Sequence, residues 1–358
     1  MVRKLQNIFI STVMVFLLIM LIVYSKDTAL TIKHCIEICT DTLIPSIFAY
    51  MVLCTFLINS GLSEIIATPL WYLSRRIIKL DKKLFSAFLL SIIAGYPVGV
   101  KMLKEIISQN KNYSEIVKQI APFCYASGPA FVIGIAGNIV YNSFTAGMII
   151  FISCTISNII GLVIATRKNA LKRSTKLNQT ETNGKVITSS FLSSARALLI
   201  VCLSMILFNL IITFINCFLD SSLSESSALS YIKALIEITN IYTLNAATPL
   251  WLMTFFISFG GLCVIFQVYI IADGSFSLLR FIVTRLFVSV TGSVICFTIT
   301  EISGYEVSIP ATYFKTPQLM LKNPVVLFSV SCMTLILLAF LTGQVKYFKK
   351  NKNILKKD

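Results

Sequence analysis

The sequence predicts an all-α integral membrane protein with an inverted-repeat, transporter-like fold carrying two re-entrant hairpins and two interrupted transmembrane helices. Three observations predict it. Of 358 residues, 56% are hydrophobic and only 13% charged, a balance that a water-soluble domain of this length could not keep off its surface. Apolar runs approaching the ~20 residues needed to span hydrocarbon alternate with blocks of Lys and Arg. Four of the apolar segments are broken by glycine, proline or polar residues, two in each half at corresponding positions.

The first apolar run, 8–24, follows Arg3 and Lys4 but is succeeded by Tyr24, Ser25, Lys26 and Asp27, not by a small-residue cleavage site, so it reads as a retained helix. Further spans are expected at 43–62, 144–166, 189–219, 277–300 and 324–345. The net charge of +16 raises the question of nucleic acid. Its residues, however, fall in loop blocks: Arg75, Arg76, Lys79, Lys82 and Lys83, then Arg167 to Lys185, then Lys346 to Lys357. These are read as cytoplasmic loops, with both termini on the cytoplasmic side of the membrane and no nucleic-acid partner.

The stretch "SIIAGYPVGVKMLKE" (91–105) begins as membrane-grade sequence and then carries Lys101 and Lys104. A single crossing through 84–118 would strand those lysines on the wrong side. A hairpin turning at Gly95-Tyr96-Pro97-Val98-Gly99 resolves the conflict, because two glycines and a proline permit a reversal. Residues 120–142 then cross outward, unwound around Ala126-Ser127-Gly128-Pro129, and 144–166 returns to the polar linker 167–188. In the second half, 189–219 crosses and "DSSLSESS" is an exterior loop. A second hairpin is expected over 228–248, holding Glu237, Thr239 and Asn240. The run 249–272 is interrupted at Ser258, Gly260 and Gly261, with Gln267 following. The domains are thus an N-terminal helix and connector at 1–42, a first repeat at 43–166, a basic linker at 167–188, a second repeat at 189–301, and an exterior loop, last span and basic tail at 302–358.

Breaks inside a bilayer free backbone groups that protein, water or ligand must satisfy, and half-helix ends facing a midplane site supply partial charges for a small polar substrate. Glu237 is the one acidic residue well inside an apolar segment, either part of the site or on a short interfacial helix. Lys101 either complements a carboxylate or snorkels to the surface. Gln267 either binds a heteroatom or joins two helices. Arg196, Arg280 and Arg285 are read as cytoplasmic anchors, and Trp71 and Trp251 as interfacial ones. Of ten cysteines, eight lie in apolar runs, so no disulfide framework is expected, and the His34, Cys35, Cys39 cluster is not expected to hold a metal. An enzyme is not expected either: no HExxH or GxSxG is present, and His34 is the only histidine.

At "SIIAGYPVGVK", "PFCYASGPAFVIGIAGN", "EITN" and "SFGGLCVIFQ", most of 43–300 resembles the YlbJ/SpoVV-type sporulation integral membrane proteins. These carry the nucleoside-recognition Gate domain and are distantly similar to concentrative nucleoside transporters. The resemblance implies a transporter of dipicolinic acid, an aromatic dicarboxylate, moving from mother cell toward forespore, with a homo-oligomeric assembly in a bacterial cytoplasmic membrane or the outer forespore membrane. It also implies a substrate site at Gly95, Tyr96, Pro97, Gly99, Lys101, Ser127, Gly128, Pro129, Glu237, Thr239, Asn240, Ser258, Gly260, Gly261 and Gln267. The Gln/Thr/Glu-rich signature of nucleoside transporters is missing from the first hairpin, and Tyr125-Ala126 stands where an Asn-Asn pair is expected. A nucleoside transporter and a non-transporting sporulation scaffold are the alternatives. No cofactor is expected beyond a coupling ion, H+ or Na+, which the sequence does not specify.

Overall fold

The computed structural model of the chain describes residues 2–167, 184–218, 227–244 and 246–305. The predicted exterior loop 220–227 (up to Ser226), most of the linker 167–188, the last span at 324–345 and the basic tail lie outside the described residues. Among the described residues every regular element is helical.

Helix α1 (Val2–Val23) bends sharply into α2 (Ser25–Ile38), and from there α2, a π-helical stretch (Cys39–Phe48) and α3 (Ala49–Asn59) form one continuous helical run. The expected connector 25–42 is therefore helical. Its polar residues explain why hydropathy hides this: Lys26, Asp27, Lys33, His34 and Glu37 are exposed, while Thr28, Cys35 and Cys39 face inward. Cys35 and Cys39 pack with Met205, an apolar setting for thiols. At Ser60-Gly61 the chain bends by 85° into α4 (Leu62–Ser74), with Gly61 left-handed at φ 76°.

Helices α5 (Lys82–Ala94) and α6 (Val98–Gln109) form the expected first hairpin. Gly95, at φ 79°, makes the turn, and Lys83 Nζ near the start of α5 donates to Gln109 Oε1 at the end of α6, so the limbs run antiparallel. Gly99 lies in the first turn of α6, not in the reversal itself. After α7 (Ser114–Ile120) the chain is non-helical through Gly128, and Pro129 restarts it at the first helical position, where its missing N–H costs nothing. That helix, α8 (Pro129–Phe131), continues as π-helix (Val132–Val140) and leads to α9 (Phe144–Arg167).

The second half opens with α10 (Gly184–Phe218), 35 residues long, packed along the α2–α3 run. Next comes α11 (Ser227–Ile236), followed by a 3₁₀ segment (Ile238–Thr243). The second hairpin thus lacks a second α-helical limb. Glu237 and Asn240 account for this: Glu237 Oε1 accepts Thr239 N–H at 3.1 Å and Asn240 Nδ2 donates to the Glu237 carbonyl at 3.2 Å, local bonds that compete with a helical ladder. The run 249–272 is two helices, α12 (Leu250–Phe259) and α13 (Gly261–Ile271), separated at left-handed Gly260 and Gly261. Helix α14 (Leu278–Ser303) packs against α12 and α9.

Among the described residues four helical stretches, Phe144–Arg167, Gly184–Phe218, Leu250–Ile271 and Leu278–Ser303, are long and apolar enough to cross a membrane, or up to six if each of the two bent pairs near the N-terminus is one span. Exposed Leu279, Phe287, Val290 and Val294 line the outside of α14, as a lipid-facing surface requires. The buried α12–α13 span lies at the middle of one continuous apolar core.

Candidate site at the helix breaks

Three of the four sequence interruptions, separated by up to 165 residues, meet directly, and the fourth joins them through Gly261. Gly95 at the hairpin tip lies against Gly128, so close that a Cβ on Gly95 would sit 2.8 Å from the Gly128 nitrogen. A Cβ on Gly99 would sit 2.0 Å from the Cys124 carbonyl oxygen. The hairpin can rest on the unwound segment only because both positions lack side chains. Tyr96 and Tyr125 stack with ring centroids 4.9 Å apart, and Phe281 of α14 meets Tyr125 edge-on at 5.5 Å. Tyr125 Oη reaches the α12–α13 break, 2.1 Å from where a Gly260 Cβ would be. Gly261 abuts the Ile238 nitrogen and the Ile236 carbonyl oxygen, joining the break to the 3₁₀ segment.

Helix α12 ends here, and its last carbonyls need partners. Gly260 N–H takes the Phe256 carbonyl, Ser127 Oγ donates to the Ile257 carbonyl at 2.8 Å, and Arg285 takes the Ser258 carbonyl. Arg285 also donates to Ser258 Oγ at 3.2 Å, to Asn158 Oδ1 at 2.8 Å and to the Pro122 carbonyl, just past the end of α7, at 2.8 Å. Its guanidinium lies over the Tyr125 ring, 4.8 Å from the centroid.

Arg285 is not a cytoplasmic anchor. It is 1% exposed and the largest fully buried side chain among the described residues. No carboxylate pairs with it among them. Its charge is met by neutral oxygens and by the negative ends of two half-helices, an arrangement that offsets desolvation only in part. The position was readable in one respect: Arg285, Ser289, Gly292, Ser293 and Cys296 recur at helical spacing, and all are buried. Arg280, five residues earlier, is exposed.

Glu237 is 2% exposed, so the interfacial-helix reading does not hold. Its carboxylate lies near the Cys263 thiol in the first turn of α13, where the helix N-terminus favours a negative charge. Six buried side-chain polar atoms of the described residues lack a hydrogen-bond partner, and four of them, Tyr96 Oη, Tyr125 Oη, Glu237 Oε2 and Arg285 Nε, fall in this one cluster.

The structure therefore brings together Gly95, Tyr96, Ser127, Gly128, Glu237, Ser258, Gly260 and Gly261. Pro97 and Pro129 shape the adjoining turns, and Thr239 caps through its backbone. Asn240 and Gln267 instead tie the site to α10: Asn240 Nδ2 donates to Asn209 Oδ1 at 3.2 Å and Gln267 Nε2 to the Val201 carbonyl at 3.4 Å. Lys101 belongs elsewhere. It does not snorkel, being 2% exposed, and it donates to Thr55 Oγ1 at 2.5 Å with Glu105 at 3.5 Å. Ser193 of α10 completes this second polar seam by donating to Glu105 Oε1 at 2.5 Å. Besides Arg285, the sequence reading missed Tyr125 and Asn158, whose roles depend on contacts across more than 100 residues.

Fold and site together define the class: an all-helical, multi-pass membrane protein with discontinuous helices whose ends converge on a buried polar cluster. No protein-family model matches the chain, and no curated protein or solved structure shows significant similarity to it.

Proposed function

We propose that the protein is a secondary transporter of a small, planar, anionic ring compound, with dipicolinate the leading substrate, and that the substrate binds where the helix breaks converge. The observation that carries this reading is Arg285: a guanidinium without a carboxylate partner among the described residues, buried among unwound backbone and stacked tyrosines. A buried cation costs free energy that a nearby anion recovers, and Arg285 Nε is the donor left without a partner. The stacked Tyr96 and Tyr125 rings line the same cluster, an aromatic setting compatible with a ring compound. The two halves follow a common order of long helix, reversal, interrupted helix and long helix, which supports an inverted repeat with the hairpins re-entering from opposite faces. In that arrangement the protein sits in the bacterial cytoplasmic membrane with both termini inside, and its likeness to the YlbJ/SpoVV group adds a role in sporulation.

Uptake by proteoliposomes holding the purified protein tests the proposal. Radiolabelled dipicolinate should accumulate above protein-free vesicles, and Ser127→Ala and Glu237→Gln should reduce the rate. Uridine uptake without dipicolinate uptake would assign the protein to nucleosides instead. Uptake of neither would favour a non-transporting scaffold.

A further inference from the structure

The oxygens around Arg285 form a set that ordinarily suits a small monovalent cation. Two are main-chain carbonyls at or just past the ends of half-helices, Ser258 of α12 and Pro122 after α7; the others are Asn158 Oδ1 and Ser258 Oγ. All are neutral and buried deeply enough to exclude bulk water, and the two helix C-termini add partial negative charge. In transporters built from discontinuous helices, unwound carbonyls and half-helix C-termini of this kind hold the coupling sodium ion. Here the guanidinium fills the position, fixed to α14 and contacting α7's exit, α9 and α12 at once.

Resting on the transport reading above, we infer that Arg285 is a resident cation standing in the place of a coupling sodium ion. The site is then charged for an anionic substrate without sodium, and transport is sodium-independent. Glu237 stands across the break: Gly261 at the N-terminal end of α13 abuts Ile236 and Ile238, so both half-helix ends at Gly260-Gly261 face an ionisable side chain of the protein's own. An external ion has no unmet helix end to occupy there.

Thermal unfolding of the purified full chain in matched sodium chloride and choline chloride tests the inference without reference to transport. The wild-type curves should superimpose, and Arg285→Ala should unfold at lower temperature in choline and recover part of the loss in sodium. A wild-type midpoint raised by sodium over choline would overturn the inference. Should Arg285→Ala fail to fold in either salt, Arg285→Lys keeps a cation in place and should fold and be indifferent to sodium; a sodium response there would overturn it equally. In proteoliposomes, dipicolinate uptake should run at equal rates in the two salts, and a sodium requirement would contradict it. Absence of any uptake would sink the transport reading alone, leaving the unfolding comparison to decide the role of Arg285.

Discussion

Gly260 shows at the level of one residue how tightly the breaks are joined. Its left-handed φ of 83° excludes most side chains, and Tyr125 Oη already occupies the space a Cβ would take, at 2.1 Å. Gly260→Ala should therefore lower stability by about 1–3 kcal/mol, combining backbone strain with overpacking. Gly134→Ala is the control: nothing lies within 4 Å of its Cβ position, and its thermal midpoint should match wild type. Ser127→Ala leaves the Ile257 carbonyl buried without its donor and should cost about 1–2 kcal/mol in the same assay. At this scale the sequence was informative about glycines, prolines and Ser127, because their chemistry is local. It did not mark Arg285 as a site residue, since an arginine eight residues from the Ser277 cap looks the same whether it points to the surface or to the core.

Among the elements, the two long helical runs form the support on which the breaks are held. Thr31 Oγ1 and Thr213 Oγ1 lie 2.8 Å apart and bring α2 against α10. A Thr31→Cys/Thr213→Cys pair, placed in a background with the native cysteines replaced, should form an oxidant-dependent crosslink detectable by gel mobility. Failure to crosslink in folded protein would mean that α2 is not docked there. This contact explains why the polar segment 25–42 is helical where hydropathy suggested a connector: its apolar stripe has a partner that only the fold supplies. The first hairpin was legible for the opposite reason. Gly95-Tyr96-Pro97 sits between two amphipathic limbs, and lysines on both flanks forbid a simple crossing. The 3₁₀ return after Glu237 was not legible, because it follows from how Glu237 and Asn240 use their side chains, not from composition.

Considered as a whole, the described part of the molecule gathers four of its six unpartnered buried polar side-chain atoms in one interior cluster while presenting Leu, Ile and Phe outward from α14 and α10. The limbs of the first hairpin tie together at Lys83 and Gln109, so cysteines introduced at Lys79 and Lys111, beyond either end, should react with an impermeant thiol reagent from the same side of the membrane. Reaction from opposite sides would make 84–118 a crossing and remove the hairpin from the membrane design. The most direct test of the central claim is equilibrium binding of radiolabelled dipicolinate to the purified protein, compared with Arg285→Gln. Saturable binding by wild type, weakened at least tenfold in the variant while its fold is retained, is the predicted result, tenfold corresponding to about 1.4 kcal/mol of lost charge pairing. Equal binding by the two proteins, or no binding by either, would contradict it.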